Sequence, residues 1–378
     1  MLFWSTLLGT AFTLGATLAQ DFETFYAMRA LMGFCLTACQ AIGLSYIKEM
    51  FFYHEHARKI GIWACVLLVS PFCGPMFGFF IIARTEDWRN GFWLVFGVCC
   101  LDLVLIILFA DETWYRRDVS IELQPPRQYR LLRLIGVWQL KYHRGYFLTV
   151  WTSVHRLLAV FVKPIIIPIM LFTAFSFMWA VGINITSSIL LETPRELGGY
   201  GFSTLGIGYI YFTPIVSVLL GELFGHFGND WAAARYVKRH HGIIKPEARL
   251  PMAFIAAFFM IPGLVLLGQA LKHLLNYSAI IMGWGMYNFG AMITTVATTT
   301  YLLDSYPNGA GEVAAFALFA RTAGGFAVGY FQQPWGLKVG YDVSFGLQAV
   351  VVGVAFGILT LILIFGERLR ILGGRLEI

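Results

Sequence analysis

Two apolar segments of this chain carry amide, hydroxyl and aromatic side chains that repeat at helical spacing. Within residues 160–190 the stripe consists of Thr173, Phe177, Ala180, Asn184, Ser187 and Ser188. Within residues 277–301 it consists of Trp284, Tyr287, Asn288, Ala291, Thr295 and Thr298. Residues three or four apart share one face of a helix, so each set predicts a polar stripe. An Asn amide can hydrogen-bond a ligand while Trp and Tyr rings offer flat apolar contact, which predicts a binding wall. Hydrogen bonding between packed helices is the alternative.

Two arginines lie inside apolar segments, where ionisable groups are rare and usually face a cavity or a partner. Arg29 shares a helical face with Gln40, and we predict that this face contacts a ligand. Arg29 and Arg321 are predicted to influence proton coupling or the binding of a charged ligand. The alternative for Arg29 is an extended side chain that reaches the outer interface. The alternative for Arg321 is a structural ion pair with Glu312 or Asp304.

Enzymatic chemistry has little support in the sequence. The apolar segments contain no His, Asp and Glu cluster at metal-ligand spacing, no phosphate-binding loop and no nucleophile elbow. The 6 cysteines show neither a disulfide framework nor a metal spacing. We therefore predict a protein that is not an enzyme, with no metal site and no cofactor.

The elements that must position these residues are long apolar helices. Hydrophobic residues make up 58% of the 378 residues and charged residues only 13%, against about 25% in soluble domains. About ten apolar runs are each close to the roughly 20 residues that cross a bilayer as a helix. The predicted spans are 2–20, 25–47, 60–83, 91–110, 160–190, 201–222, 251–271, 277–301, 312–331 and 343–365. This pattern predicts an all-α, multipass membrane protein whose partner is the lipid bilayer.

Basic residues indicate the orientation of these spans. Most of the 27 Lys and Arg residues fall in alternate loops, which the positive-inside rule places in the cytoplasm together with both termini. This distribution accounts for the net charge of +6 without nucleic acid as a partner. The long polar segment 111–155 has the composition of a basic amphipathic helix on the cytoplasmic leaflet, with a solvated linker as the alternative. Asn276 begins an N-glycosylation sequon on the predicted outer side, close to the bilayer, which predicts a glycosylation site.

Ordered motifs along the chain resemble a known family. Arg29-Ala30-Leu31-Met32-Gly33 is followed by a second segment that contains Gly61, Gly74, Pro75 and Gly78. Both resemble motifs of the major facilitator superfamily, in particular of fungal drug–proton antiporter-like transporters. Ser70 stands where the second motif usually has glycine. The segment around Asp230 and Arg235 resembles the loop between family helices eight and nine.

The resemblance covers essentially the whole chain and aligns its spans with family helices three to twelve, so helices one and two have no counterpart. It implies an N-terminal bundle at residues 1–110, a cytoplasmic basic loop at 111–159 and a C-terminal bundle at 160–378. The implied function is secondary active transport, as a proton-coupled exporter of small organic molecules that acts by alternating access. A monomer in the plasma membrane is the implied setting. The alternative is a truncated, inactive or regulatory membrane protein.

The resemblance also implies roles for individual residues. Asn184, Trp284, Tyr287 and Asn288 fall on family helices seven and ten, which line the central cavity. Ser70, Gly74 and Gly78 form a small-residue stripe, and Pro75 permits a bend that controls packing during alternating access. Asp230 and Arg235 are expected to act in the same conformational change. Ordinary tight packing is the alternative for the stripe.

Overall fold

The computed structural model describes residues 1–51, 56–111, 129–143, 149–197, 199–239, 245–306 and 309–374. Every regular element in these ranges is a helix, which confirms the all-α prediction. The α-helices are α1 Leu2–Leu18, α2 Phe22–Met50, α3 His56–Thr85, α4 Arg89–Phe109, α5 Arg130–Ile135, α6 Val137–His143, α7 Val150–Phe161, α8 Ile166–Glu192, α9 Thr204–Ile210, α10 Phe212–Arg239, α11 Pro251–His273, α12 Tyr277–Ser305, α13 Ala310–Val339 and α14 Tyr341–Gly373. Short 3-10 turns occupy Arg195–Leu197 and Pro246–Arg249.

Helices cover every predicted span, and they confirm a multipass membrane protein. Within the described ranges, 7 helical segments are long and apolar enough to cross a bilayer. α1 is shorter, and α12 contains many Thr and Gly residues that lower its hydropathy. The predicted span 160–190 is divided, because α7 ends at Phe161 and α8 begins at Ile166. Pro164 lies between them, and a proline disfavours helical backbone at the preceding residue.

The chain folds as two compact units. The first comprises residues 1–56 and 81–153, and the second comprises 57–80 and 154–378. Most of α3 therefore belongs to the second unit. The predicted bundles at 1–110 and 160–378 follow loop positions along the chain, and they stay a prediction.

In the first unit, α1 packs against α2 and α4 through a face rich in threonine. Thr10, Thr13 and Thr17 are buried, and each donates its hydroxyl hydrogen to the carbonyl oxygen four residues earlier, at 2.7–2.8 Å. This local bond satisfies a hydroxyl without a partner from another helix. Gly9 and Gly15 let the side chains of α2 approach closely. These three buried threonine hydroxyls of the apolar helix are therefore hydrogen-bonded within the helix.

Residues 129–143, the described part of the basic segment directly after α4, form the short helices α5 and α6, and the amphipathic character of the whole segment stays a prediction. Gly136 ends α5 with φ at 93°, a left-handed conformation that glycine adopts without strain. Arg130 donates two hydrogen bonds to the carbonyl oxygen of Ala110, at 3.2 and 2.9 Å. Arg133 forms a two-bond ion pair with Asp111, at 2.9 and 2.7 Å. These bonds fasten α5 to the end of α4, so both arginines bind protein groups.

In the second unit, α12 packs against α10 and α11, α8 packs against α13 and α14, and α11 packs against α14. Glycines set the closest approach of α11 and α12. A Cβ atom on Gly283 would lie 2.9 Å from both the Gly263 carbonyl oxygen and the Leu267 nitrogen. Backbones this close gain dispersion contact that larger residues would prevent.

We expect Gly283→Leu to lower the stability of the protein because its side chain would force α11 and α12 apart. The expected loss is about 1–3 kcal/mol, the usual cost of overpacking. Gly357→Leu is the matched control, since nothing lies within 4 Å of a Cβ built at Gly357. Thermal unfolding in detergent, followed by circular dichroism, measures both. An equal effect of the two substitutions would contradict the close contact.

Candidate functional site

A cavity of about 100 Å³ lies inside the second unit. Its walls come from α3, α8, α10 and α12, and they hold five members of the two predicted stripes. The lining residues are Leu68, Pro71, Phe72, Phe177, Ala180, Val181, Asn184, Val218, Asn288, Ala291 and Met292. Drug-sized ligands occupy pockets of about 300–1,000 Å³, so this conformation is closed around a smaller space.

Asn184 joins α8 to α3 at the edge of this cavity. Its Nδ2 atom donates a hydrogen bond to the carbonyl oxygen of Pro71, at 3.1 Å. In a regular helix that oxygen would accept from the backbone N–H of residue 75, but residue 75 is a proline and has no N–H. The amide of Asn184 therefore supplies the donor that Pro75 removes.

A second proline in α3 is compensated in the same way. Pro71 removes the donor for the carbonyl oxygen of Leu67, and the Ser70 hydroxyl donates to that oxygen at 3.1 Å. A backbone carbonyl inside the membrane has no water to bond. Leaving a buried polar group of this kind without a partner lowers stability by about 1–3 kcal/mol. Side chains thus satisfy both freed carbonyls, and α3 continues through its two prolines.

Tyr211, between α9 and α10, completes this connection. Its hydroxyl lies 2.8 Å from Asn184 Oδ1 and 3.1 Å from the Asn184 carbonyl oxygen, and it donates to this pair. Tyr211 is 1% exposed and lies edge-on to the ring of Trp284, at 5.3 Å between centroids. Asn184 is therefore a junction between α3, α8 and Tyr211.

The predicted binding residues of α12 occupy different environments. Asn288 lines the cavity, and its Nδ2 atom donates to the Trp284 carbonyl oxygen at 3.0 Å. Trp284 is fully buried between Tyr211 and Phe72. Tyr287 is fully buried and donates to the Ser176 carbonyl oxygen of α8 at 2.6 Å. The two amides thus face the cavity, while the two rings pack behind it.

Arg321 lies in α13 against the same region of α8. Its side chain is 8% exposed, and its guanidinium carbon is 4.3 Å from the centroid of the Phe177 ring. The Nη2 atom is buried, and no described residue accepts a hydrogen bond from it. Glu312 and Asp304, the two acids that the sequence offered as ion-pair partners of Arg321, pair with other arginines. Glu312 pairs with Arg156, and Asp304 pairs with Arg249.

Arg29 and Gln40 lie on α2 in the first unit, and both are exposed. The Arg29 guanidinium carbon is 5.3 Å from the centroid of the Phe92 ring. A cation over an aromatic face gains about 0.5–1 kcal/mol at an exposed site. Their predicted roles in coupling and substrate binding stay predictions.

The small-residue stripe of α3 is open in this conformation. Ser70 and Gly74 are exposed, and among described residues no atom lies within 4 Å of a Cβ built at Gly74 or Gly78. The bend residue Pro75 is half-buried. The stripe is therefore available for packing in another conformation, a role that stays a prediction.

Glu222 of α10 is absent from the residues predicted to act in coupling. It lies inside a helical segment long and apolar enough to span the membrane, Thr204–Gly225, and a methyl group on Gly61 of α3 would collide with its Oε1 atom. Val218, one helical turn earlier, lines the cavity. The available signal was an acidic side chain between Gly221 and Leu223, inside an apolar run.

The remaining predicted residues lie outside the cavity. Arg235 is exposed on α10, with its guanidinium carbon 5.1 Å from the centroid of the Trp231 ring. Asp230 lies in the same helix, but its side chain is outside the described part of the chain. Asn276 is exposed and precedes the first residue of α12. Among the described residues, no group of three or more His, Cys, Asp or Glu side chains could hold a metal ion.

Comparison with known proteins identifies the fold. The family profile described as Major Facilitator Superfamily matches residues 1–329. The chain belongs to the major facilitator superfamily. This superfamily fold is also seen in the proton:xylose symporter XylE from E. coli, with a TM-score of 0.60 and 16% identity over 97% of this chain and 79% of that one. The human organic anion transporter MFSD10 gives 0.58 and 14% identity, over 95% and 76%.

Fungal transporters are among the curated relatives of this superfamily member. Efflux pump radE of Floropilus chiversii is 24% identical over 95% of this chain. MFS antiporter QDR3 of Candida albicans is 22% identical over 93% of this chain. The chain spans 66% of the length of each of these two relatives.

The bond from Asn184 to Pro71 predicts a specific non-additivity. Asn184→Ala should destabilise the protein, but less so when Pro75→Ala restores a backbone N–H that can reach the Pro71 oxygen. We expect a coupling free energy of about 0.6–1.5 kcal/mol, the range for hydrogen bonds within membrane proteins and in folding generally. Unfolding in detergent of the two single variants and the double variant measures it.

Tyr211→Phe is the control for this cycle. It removes the hydroxyl contacts with Asn184 and leaves the Asn184-to-Pro71 bond in place. Its cost should therefore be the same in the wild-type chain and in the Pro75→Ala variant. Strict additivity of Asn184→Ala and Pro75→Ala would show that the amide does not replace the missing donor.

Proposed function

We propose that this chain is a secondary active transporter that exports small organic molecules in exchange for protons by alternating access. The single observation that carries the proposal is the small cavity with two amides, Asn184 and Asn288, in its wall. An apolar cavity with a few convergent polar groups is typical of a binding site for an organic ligand. The superfamily membership and the fungal relatives named as an efflux pump and an antiporter support the same class of function.

The junction at Asn184 supports a link between binding and movement. A ligand that accepts the Asn184 hydrogen now bonded to Pro71 competes with that carbonyl oxygen. The oxygen then loses its donor from α8, and a rearrangement of α3 near Pro75 can supply another. We propose that ligand binding alters α3 in this way, with Gly74 and Gly78 providing the surface that packs in the other state.

Glu222 is the group that we propose carries the proton. It is a carboxylic acid inside a helical segment that can span the membrane, one turn from the cavity-lining Val218 and against Gly61 of α3. Neutralising it changes the electrostatics at the contact between α10 and α3. A proton taken up there can therefore favour a different position of α3 from the one that the ligand favours.

Further predicted residues complete the proposal. Arg29 and Arg321 are the intramembrane cations that the bound ligand and proton must balance, and Gln40 shares the face of Arg29. Asp230 and Arg235 act at the cytoplasmic end of α10 during the change of state. We propose a monomer in the plasma membrane, with both termini in the cytoplasm.

Transport by purified protein in liposomes tests this function. With an imposed proton gradient, the wild-type chain should accumulate at least one of radiolabelled tetraphenylphosphonium, benzamide and benzoate above protein-free vesicles. Asn288→Ala and Arg29→Ala should abolish that accumulation, and a protonophore should collapse it. A folded preparation that moves none of the three would contradict the proposal and favour a non-transporting relative.

We expect Glu222→Gln to separate transport from the proton gradient, because a neutral amide cannot carry a proton. Gradient-driven accumulation should fall by at least about tenfold, an energy of about 1.4 kcal/mol, while exchange of labelled for unlabelled substrate persists. Asp102→Asn is the control, since Asp102 lies in α4 of the first unit. Equal losses in both variants, or an unchanged gradient response in Glu222→Gln, would exclude Glu222 as the proton carrier.

A further inference from the structure

We infer that Arg321 binds the carboxylate of a small organic anion that enters the cavity. This inference rests on the proposed transport function and names its substrate class. The observations behind it are the buried guanidinium, the pairing of Glu312 and Asp304 with other arginines, and the contact of Arg321 with Phe177, which lines the cavity.

The guanidinium of Arg321 is a permanent charge in a nearly water-free place. Arginine stays protonated in proteins, and this side chain is only 8% exposed. Its Nη2 atom has no acceptor among the described residues. Removing a charge from water is expensive, and the cost is recovered when an anion accepts its hydrogen bonds. A buried guanidinium whose N–H group has no acceptor can therefore bind an anion.

Carboxylates of the protein do not fill this role in the described part of the chain. The two acids nearest to it in the sequence are held by other arginines, Glu312 by Arg156 and Asp304 by Arg249, and none of the described ion pairs includes Arg321. The face of Phe177 compensates the charge only in part, since a ring offers a cation weaker stabilisation than a carboxylate that accepts two hydrogen bonds.

Close packing holds α13 against α8 next to Arg321. One turn further along α13, a Cβ atom on Gly325 would lie 2.7 Å from Val181, and one on Gly324 would lie 3.1 Å from Met178. These contacts fix the backbone of Arg321 near Phe177 of α8. Phe177 lines the cavity with its ring under the guanidinium.

The surrounding wall indicates the rest of the ligand. It is apolar and aromatic apart from the amides of Asn184 and Asn288. The cavity of about 100 Å³ approaches the roughly 150 Å³ that holds a benzene molecule. The matching ligand is therefore a carboxylate on a flat apolar body, with the ring in the cavity and the charge at Arg321.

Benzoate and benzamide provide a test, because they are nearly equal in shape and differ in charge. Equilibrium dialysis of the radiolabelled compounds against the full chain in lipid nanodiscs, with empty nanodiscs subtracted, measures binding without transport. The wild-type chain should bind benzoate at least about tenfold more tightly than benzamide, as expected for a charge-assisted hydrogen bond. Potassium chloride at about physiological ionic strength is present throughout, so a site for inorganic anions alone would show no preference.

Two variants of α13 complete the experiment. Arg321→Gln should remove the preference for benzoate over benzamide, and circular dichroism of the same preparation checks that the variant is folded. Lys338→Gln, which neutralises an exposed cation of the same helix, should keep the preference. Equal binding of the two compounds to wild type, or a preference that survives Arg321→Gln, would overturn the inference. A preserved preference in a chain that transports nothing would contradict the transport function and leave the anion site standing.

Discussion

The hydrogen bond from the Asn184 amide to the Pro71 carbonyl oxygen is the contact on which the architecture of the site depends. A helix in lipid must satisfy its backbone internally, and a proline four residues after a carbonyl makes that impossible. Two side chains meet this constraint in α3. The Ser70 hydroxyl bonds the Leu67 carbonyl oxygen, and the Asn184 amide of α8 bonds the Pro71 carbonyl oxygen. This donor joins α3 to α8 within the second unit, at the edge of the cavity.

Hydrogen bonding accounts for most polar groups in these apolar helices, and this makes the exceptions informative. The threonines of α1 and α12 bond their own helices, and Tyr287 bonds the backbone of α8. Asn288 and Asn184 bond backbone groups and still line the cavity. Arg321 has no such solution, because a guanidinium needs an anion rather than a carbonyl to offset its charge. Our proposed binding chemistry follows from that difference.

Much of this fold could be predicted from the sequence, because bilayer thickness and backbone satisfaction leave only long helices. Three residues of the two helical stripes, Phe177, Asn184 and Asn288, line one cavity, while their role in binding stays a prediction. Periodicity could not reveal that Trp284 and Tyr287 pack behind that wall, since facing depends on crossing angles between helices. Periodicity also does not show which charged side chains pair. The ion pair of Glu312 with Arg156 and the position of Glu222 against Gly61 are therefore visible only in the structure.

The central claim is that the Asn184 amide holds the bend of α3, and a distance measurement within the second unit tests it most directly. Spin labels replace Ile62 of α3 and Leu171 of α8, both exposed, in a chain whose native cysteines are substituted. Pulsed electron paramagnetic resonance then gives the distribution of distances between them. Removing the amide with Asn184→Ala should shift or broaden that distribution, and adding Pro75→Ala should return it to the wild-type form. Superimposable distributions for the wild-type chain and Asn184→Ala would contradict the account.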